Sequence, residues 1–83
     1  MKELELQFEV LLKELSTSLT VSDIEQIREL VDANELGVAF ENFCTQLYER
    51  DAVCSRGQMK RIAAVGEAMG IKPDYWKNIA TND

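Results

Sequence analysis

One amphipathic segment, residues 35–51, constrains this 83-residue chain more than any other stretch. Its apolar side chains recur at i, i+4, i+7, i+8 and i+11, a spacing that places them on one face of an α-helix. Two of them are phenylalanines, so neighbouring helices are expected to pack around this face. The apolar positions are Leu36, Phe40, Phe43, Cys44 and Leu47, and the opposite face carries Glu41, Asn42, Thr45 and Glu49.

Two helices are predicted before this segment. The first covers residues 3–19, with its main apolar face formed by leucines and Phe8. Leu6 and Val10 fall on its opposite side, either as scattered exposed residues or as part of a second contact such as a homodimer seam. The second helix is expected to begin with a capping box formed by Ser22 and Glu25.

The predicted third and fourth helices have their own start and stop signals. Either Asp32 or Asn34 can serve as the N-cap of the third helix. Ser55 and Gln58 again form a capping-box pattern, which opens a fourth helix that runs to about Met69. The fourth helix is expected to lie close against a neighbour because several of its residues are small. These are Ala63, Gly66 and Ala68, and Gly70 follows as the expected stop signal.

The last predicted element is a short fifth helix. Pro73 suits its first position, and the helix is expected to continue to about Ala80. Trp76 and Ile79 should then close the open end of the bundle. With no strand pattern in the sequence, the predicted fold is all-α: one domain, residues 1–83, as a compact bundle of four main helices plus a short C-terminal fifth helix.

Composition excludes several classes of function. The chain has no histidine, which removes the usual general base and the commonest metal ligand. Its two cysteines have no zinc-site spacing and are too few for a disulfide framework. An enzyme is therefore not expected, and neither is a metal or a cofactor. No membrane-length apolar run and no signal-peptide pattern occur, so a cytoplasmic protein without a membrane partner is predicted.

Charge is distributed unevenly along the chain. Residues 1–51 contain twelve acidic and four basic residues, a net charge of −8, whereas residues 52–83 carry +2. The acidic part would repel phosphates, so nucleic acid is not expected as its direct partner. It suits a basic protein partner, and it is equally compatible with a role in solubility alone.

Three stretches carry a family resemblance: residues 35–39 with 42–49 (ELGVA and NFCTQLYE), residues 65–70 (VGEAMG) and residues 73–76 (PDYW). In this order and at this spacing they resemble the MafI-type immunity proteins of bacterial contact-dependent growth inhibition systems. The resemblance covers about the last fifty residues well, and the first thirty only by length and helicity. It implies a small helical protein that binds the C-terminal nuclease domain of a cognate toxin, often an EndoU-type ribonuclease with a basic cleft.

If such a nuclease is the partner, the acidic residues around the second and third helices are the expected contact surface. A short turn between the two helices would bring five carboxylates together, with Arg28 as their only nearby basic residue. Tyr48, at the edge of the apolar face, could supply an aromatic anchor. The predicted partner-binding residues are Glu25, Glu29, Asp32, Glu35, Glu41 and Tyr48. The free protein is expected to be a monomer or a weak homodimer.

Two alternatives belong to other classes of protein. A helical regulatory adaptor or transcription-associated module would use the basic patch at Arg56, Lys60 and Arg61. An acidic carrier protein would need an Asp-Ser-Leu attachment site, and no serine in the chain has that context.

Overall fold

Four α-helices and two short strands form the part of the chain that the structure describes, residues 2–82 of a computed structural model. The terminal residues of the predicted 1–83 domain lie outside the described residues. The helices are α1 (Lys2–Glu14), α2 (Val21–Asp32), α3 (Leu36–Glu49) and α4 (Arg56–Ala68). The strands are β1 (Val53–Ser55) and β2 (Ala80–Asn82), and single 3₁₀ turns occur at Ser16–Ser18 and Pro73–Tyr75.

Helix α3 lies at the centre of the core, as its apolar pattern predicts. Its two phenylalanines, Phe40 and Phe43, are completely buried. Both meet Phe8 of α1 edge-on, with ring centroids 6.0 and 5.2 Å apart, and Phe40 also meets Trp76 at 5.8 Å. Edge-to-face aromatic pairs add stabilisation beyond the area they bury. One aromatic cluster therefore joins α1, α3 and the C-terminal segment.

The first helix is shorter than predicted, because α1 ends at Glu14 and a 3₁₀ turn at Ser16–Ser18 follows. Leu15 and Leu19 nevertheless remain buried, so the predicted apolar face is correct beyond the end of the helix. Leu6 and Val10 are exposed, at 63% and 50% of their maximum area.

The capping box of α2 lies two residues earlier than predicted. The hydroxyl of Thr20 accepts a hydrogen bond from the Asp23 N–H, and the Asp23 carboxylate accepts one from the Thr20 N–H, each at 3.0 Å. The predicted pair of Ser22 and Glu25 is therefore wrong, and both residues lie within the helix. Thr20 and Asp23 meet the same sequence rule, so the pattern alone could not choose between the two boxes.

The predicted N-cap of α3 is also wrong. Asp32 is the last residue of α2, and Asn34 adopts a left-handed conformation (φ 64°) that closes α2. The Asn34 N–H donates to the Val31 carbonyl at 3.0 Å, and the Glu35 N–H donates to the Leu30 carbonyl at 2.8 Å. This hydrogen-bond pair is the Schellman motif. Asn34 therefore ends one helix, and Glu35 occupies the N-cap of the next without a side-chain cap bond.

The C-terminal segment corrects the all-α prediction. The chain forms one 3₁₀ turn at Pro73–Tyr75 and then the strand β2, in place of a fifth α-helix. Strand β2 pairs in parallel with β1, with Val53 opposite Ala80 and Ser55 opposite Asn82. A helix of about eight residues gains little from its own backbone hydrogen bonds, so pairing with another segment decides the conformation. Trp76 and Ile79 are buried, as predicted.

Helix α4 follows β1 directly, and its predicted signals are correct. Ser55 is the last residue of β1 and also the N-cap of α4, where its hydroxyl accepts from the Gln58 N–H at 3.0 Å. The Gln58 side chain accepts from the Ser55 N–H, which completes the capping box. Gly70 has a positive φ of 73° and ends the helix. The close approach expected at the small residues occurs at Gly66, against the ring of Trp76.

Candidate partner-binding surface

Three of the predicted site residues line the outer face of α2. Glu25, Glu29 and Asp32 are spaced i, i+4 and i+7, and all three are exposed, whereas Ile27 on the opposite face is completely buried. Among residues 2–82, no hydrogen bond or ion pair involves these three carboxylates. Unpaired acids at this spacing repel one another slightly, so helix stability does not explain them.

The side chain of Arg28, the basic residue nearest to these acids in sequence, binds elsewhere. Its Nη1 donates to Oε1 of Glu9 at 3.1 Å, an ion pair that joins α2 to α1. Both side chains are partly exposed, so the pair contributes little stability. The pairing still leaves the α2 acids without the basic neighbour that the sequence offered them.

The second arginine of the acidic part, Arg50, binds Asp23. Its Nε and Nη2 donate to the two carboxylate oxygens at 3.0 and 3.1 Å, which joins the start of α2 to the end of α3. Asp23 is buried, and these bonds, with that from the Thr20 N–H, lower the pKa of its carboxyl group. The helices α2 and α3 are therefore antiparallel, with this ion pair at one end and the turn at Asn34 at the other.

Glu35 lies at that turn and is exposed, three residues after Asp32. It therefore extends the row of α2 carboxylates to the tip of the helical hairpin. We call this row the acidic strip. It consists of Glu25, Glu29, Asp32 and Glu35.

Glu41 and Tyr48 lie on a different flank of α3. Arg50 marks the flank that faces α2, and Tyr48 is rotated from it by about 200°, because each helical residue advances by about 100°. Glu41 precedes Tyr48 by seven residues, two turns, and so shares its side of the helix. The six predicted residues thus occupy two regions of the surface, one on each side of α3.

Tyr48 borders a hollow of about 230 Å³ between α3 and the C-terminal segment. Tyr48 and Tyr75 are 54% and 40% exposed, so two aromatic rings are available at the surface here. We call this site the tyrosine hollow. It is lined by Thr45, Tyr48, Asp74, Tyr75 and Asn78.

Sequence reasoning did not select Tyr75. The available signal was its position beside Trp76, in a turn that begins at Pro73. Once Trp76 is assigned to the core, a neighbouring residue in such a short turn has to point in another direction. Val38 was missed as well, and its side chain is 45% exposed on the outer side of α3.

The two cysteines are buried free thiols that pack as small apolar side chains. Burial raises the pKa of Cys44 to about 12, with smaller contributions from Cys54 and Glu41. Burial also raises the pKa of Cys54. Both thiols are therefore protonated at neutral pH, and neither is activated as a nucleophile. Among residues 2–82, no three histidine, cysteine or acidic side chains are grouped so that they could hold a metal ion.

The basic patch proposed for a regulatory adaptor, Arg56, Lys60 and Arg61, is partly engaged in contacts within the fold. Arg61 donates to both carboxylate oxygens of Glu14, at 2.7 and 3.0 Å, and Gln58 adds a third bond at 3.3 Å. The hydrogen bonds from Arg61 and Gln58 lower the pKa of Glu14. Arg61 therefore joins α4 to α1, and its charge is balanced within the fold.

Comparison of the chain with protein-family models, with curated proteins and with solved structures finds no match. None of the helices within residues 2–82 has the length and apolar character needed to cross a membrane.

Proposed function

We propose that this protein is an immunity protein that binds and neutralises the C-terminal nuclease domain of a cognate contact-dependent toxin in the cytoplasm of the producing cell. The observation that carries the proposal is the unpaired acidic strip. Both arginines of the acidic part bind other carboxylates, Glu9 and Asp23, and no ion pair within residues 2–82 involves a carboxylate of the strip. The MafI-like segments support the same function, and an EndoU-type ribonuclease is the class of toxin they favour.

The proposed contact surface is the exposed side of α3 with the regions that flank it. Val38, Thr45 and Glu49 are exposed along this side. The acidic strip borders it on the α2 side, and the tyrosine hollow borders it on the other. A nuclease domain laid across α3 would therefore meet carboxylates along one edge and aromatic rings along the other.

Each region has its own part in binding. The carboxylates of the strip occupy positions that RNA phosphates would take, and lysine and arginine side chains of the cleft donate charge-assisted hydrogen bonds to them. Tyr48 and Tyr75 provide the kind of aromatic anchor on which interface energy concentrates. Removing one partner of a buried interfacial charge pair costs about 2–5 kcal/mol, so one or two residues should dominate affinity.

The same charge should accelerate association. Attraction between oppositely charged proteins can raise association rate constants from roughly 10⁵–10⁶ to on the order of 10⁸–10⁹ M⁻¹s⁻¹ at low salt. We expect the association rate to fall steeply as salt screens the strip. Stopped-flow mixing at low and high salt measures this rate. An association rate that does not change with salt would exclude electrostatic steering but would not contradict the proposed immunity function.

The deciding experiment is an alanine series read by toxin affinity, cell protection and melting temperature. The variants replace Glu25, Glu29, Asp32, Glu35, Glu41, Tyr48 and Tyr75 one at a time. Glu67→Ala is the matched control, because Glu67 is an exposed acid on α4 that belongs to neither the acidic strip nor the lining of the tyrosine hollow. Immunity predicts that at least one variant loses protection while it remains folded and that Glu67→Ala retains it. If the parent protein fails to bind the nuclease encoded beside it, the proposed function is wrong.

A further inference from the structure

The outer face of α1 carries two apolar residues that the core does not use. Leu6 and Val10 are one helical turn apart, and they are 63% and 50% exposed. Val10 also borders a groove of about 360 Å³ between α1 and α4, lined further by Leu11, Ala64 and Val65. Exposed apolar side chains beside an open apolar groove are typical of a surface that another molecule covers.

Two charged residues flank this apolar pair along the same face. Glu3, Leu6, Val10 and Lys13 follow the spacing i, i+3, i+7 and i+10, which is the alternating three-and-four spacing of a helix–helix seam. Glu3 and Lys13 are exposed, and neither side chain has a hydrogen bond or ion pair among residues 2–82. The seam thus has an acid at one end, a base at the other and two apolar residues between them.

This order of residues is complementary to itself when it is reversed. If two α1 helices lie antiparallel about a two-fold axis at residue 8, Leu6 of each copy faces Val10 of the other. The same operation places Glu3 opposite Lys13 at both ends. A parallel arrangement would instead place Glu3 against Glu3 and Lys13 against Lys13, and like charges repel.

We propose that a second copy of this chain covers the outer face of α1 and forms an antiparallel, two-fold symmetric dimer. Such an interface is isologous, so a single patch serves both copies. Leu6 of the second copy faces Val10 and therefore lies at the mouth of the groove. The acidic strip and the tyrosine hollow involve α2, α3 and the C-terminal segment, so the dimer leaves both accessible. This inference does not depend on the proposed function.

The dimer should be weak, because one pair of short helices covers less surface than the roughly 800 Å² per partner of a standard interface. We expect a dissociation constant on the order of 100 μM, which corresponds to much weaker binding than in nanomolar complexes. Sedimentation velocity of the full chain, from about 10 μM to about 1 mM, measures it. A parent protein that is monomeric over this whole range would overturn the proposal.

Charge exchange tests the pairing itself. Glu3→Lys places two lysines opposite each other at both ends, and Lys13→Glu places two glutamates there. Each single variant should dimerise about tenfold more weakly than the parent, because it replaces two attractive charge pairs with two repulsive ones. An equimolar mixture of the two variants, and the double variant alone, should recover parental association. If the single variants associate as strongly as the parent while retaining their melting temperatures, α1 is not the interface.

Cross-linking fixes the orientation. Cys44 and Cys54 are completely buried, so cysteines introduced at the surface react selectively. In the antiparallel dimer, a mixture of Glu3→Cys and Lys13→Cys should give oxidised heterodimers, whereas each variant alone should give few cross-links. Homodimeric cross-links of Glu3→Cys alone, more abundant than the heterodimers, would indicate a parallel pair and overturn the proposed geometry.

Discussion

Gly66 of α4 leaves space for Trp76, and replacing it with alanine tests this close contact. A Cβ atom at Gly66 would overlap Cζ3 of the Trp76 ring and would lie 2.5 Å from Cη2. The ring has little freedom to move away, since Trp76 is buried and its ring also meets Phe40 edge-on. Gly66→Ala therefore forces either the indole ring or the helix out of position.

The expected magnitude follows from two opposing effects. Adding a methyl group to a tightly packed core typically costs about 1–3 kcal/mol, and the upper half of that range suits a contact this short. Alanine is favoured over glycine in a helix by about 1 kcal/mol, which offsets part of the cost. The net loss should be about 1–2 kcal/mol, or roughly 4–16 °C in melting temperature for a domain of this size.

Thermal and urea unfolding measure this loss, and Gly57→Ala in the same helix is the matched control. Among residues 2–82, only the Ser55 hydroxyl oxygen would lie near a Cβ at Gly57, at 4.0 Å, so this variant should be unchanged or slightly stabilised. A second arm places Gly66→Ala in a Trp76→Leu background, where the smaller side chain should remove the penalty. If Gly66→Ala costs the same in both backgrounds, the steric explanation is refuted.

Three further predictions concern the rest of the fold. Phe43→Ala should cost about 3–5 kcal/mol in urea unfolding, because Phe43 is completely buried against Phe8, and an unchanged midpoint would contradict the α3 register. Asp51→Gly should raise the melting temperature, since Asp51 has a φ of 54°, a left-handed conformation that costs a non-glycine residue about 1 kcal/mol; a lower temperature would contradict this. Because Arg50 lowers the pKa of Asp23, this carboxylate should stabilise the fold above about pH 4 and lose that effect as pH falls through its folded-state pKa. Asp23→Asn should flatten this acid limb of the stability curve, and an unaltered limb would exclude Asp23 as its source.

The helices and their buried faces could be predicted from the sequence because periodicity records which side of a helix is apolar. Phe40, Phe43, Cys44 and Leu47 of α3 are buried as predicted for this reason, whereas Leu36 is only partly buried. The strands β1 and β2 could not be predicted. Three residues are too few to show an alternating pattern, and β1 pairs with a segment about 27 positions further along the chain.

The caps show a second limit. Thr20 with Asp23 and Ser22 with Glu25 both fit the capping-box rule, and local sequence does not distinguish them. The choice agrees with a long-range contact, since Asp23 also binds Arg50, 27 residues away. In the same way, Asn34 suits either an N-cap or a left-handed C-terminal position, and local sequence does not distinguish the two.

For the candidate site, the types of residue and the helices that carry them could be predicted from the sequence. The positions of these residues around α3 could not. A tight turn joins α2 to α3 as expected, yet Glu41 and Tyr48 face away from α2 because of their phase on the helix. The ion pairs could not be predicted either, because Glu9 and Glu25 are both plausible partners for Arg28 by sequence. Only the packing of α1 beside α2 selects Glu9.

These ion pairs bear on how the acidity of the chain should be interpreted. Three arginines, Arg28, Arg50 and Arg61, each join two different helices through carboxylates outside the acidic strip. The fold thus uses these arginines for its own contacts, and within residues 2–82 the strip acids have no ion pair. A requirement for solubility alone would be met by acids scattered over the surface. Acids in one row along the outer face of α2 instead concentrate negative charge in one place, which suits a cationic partner.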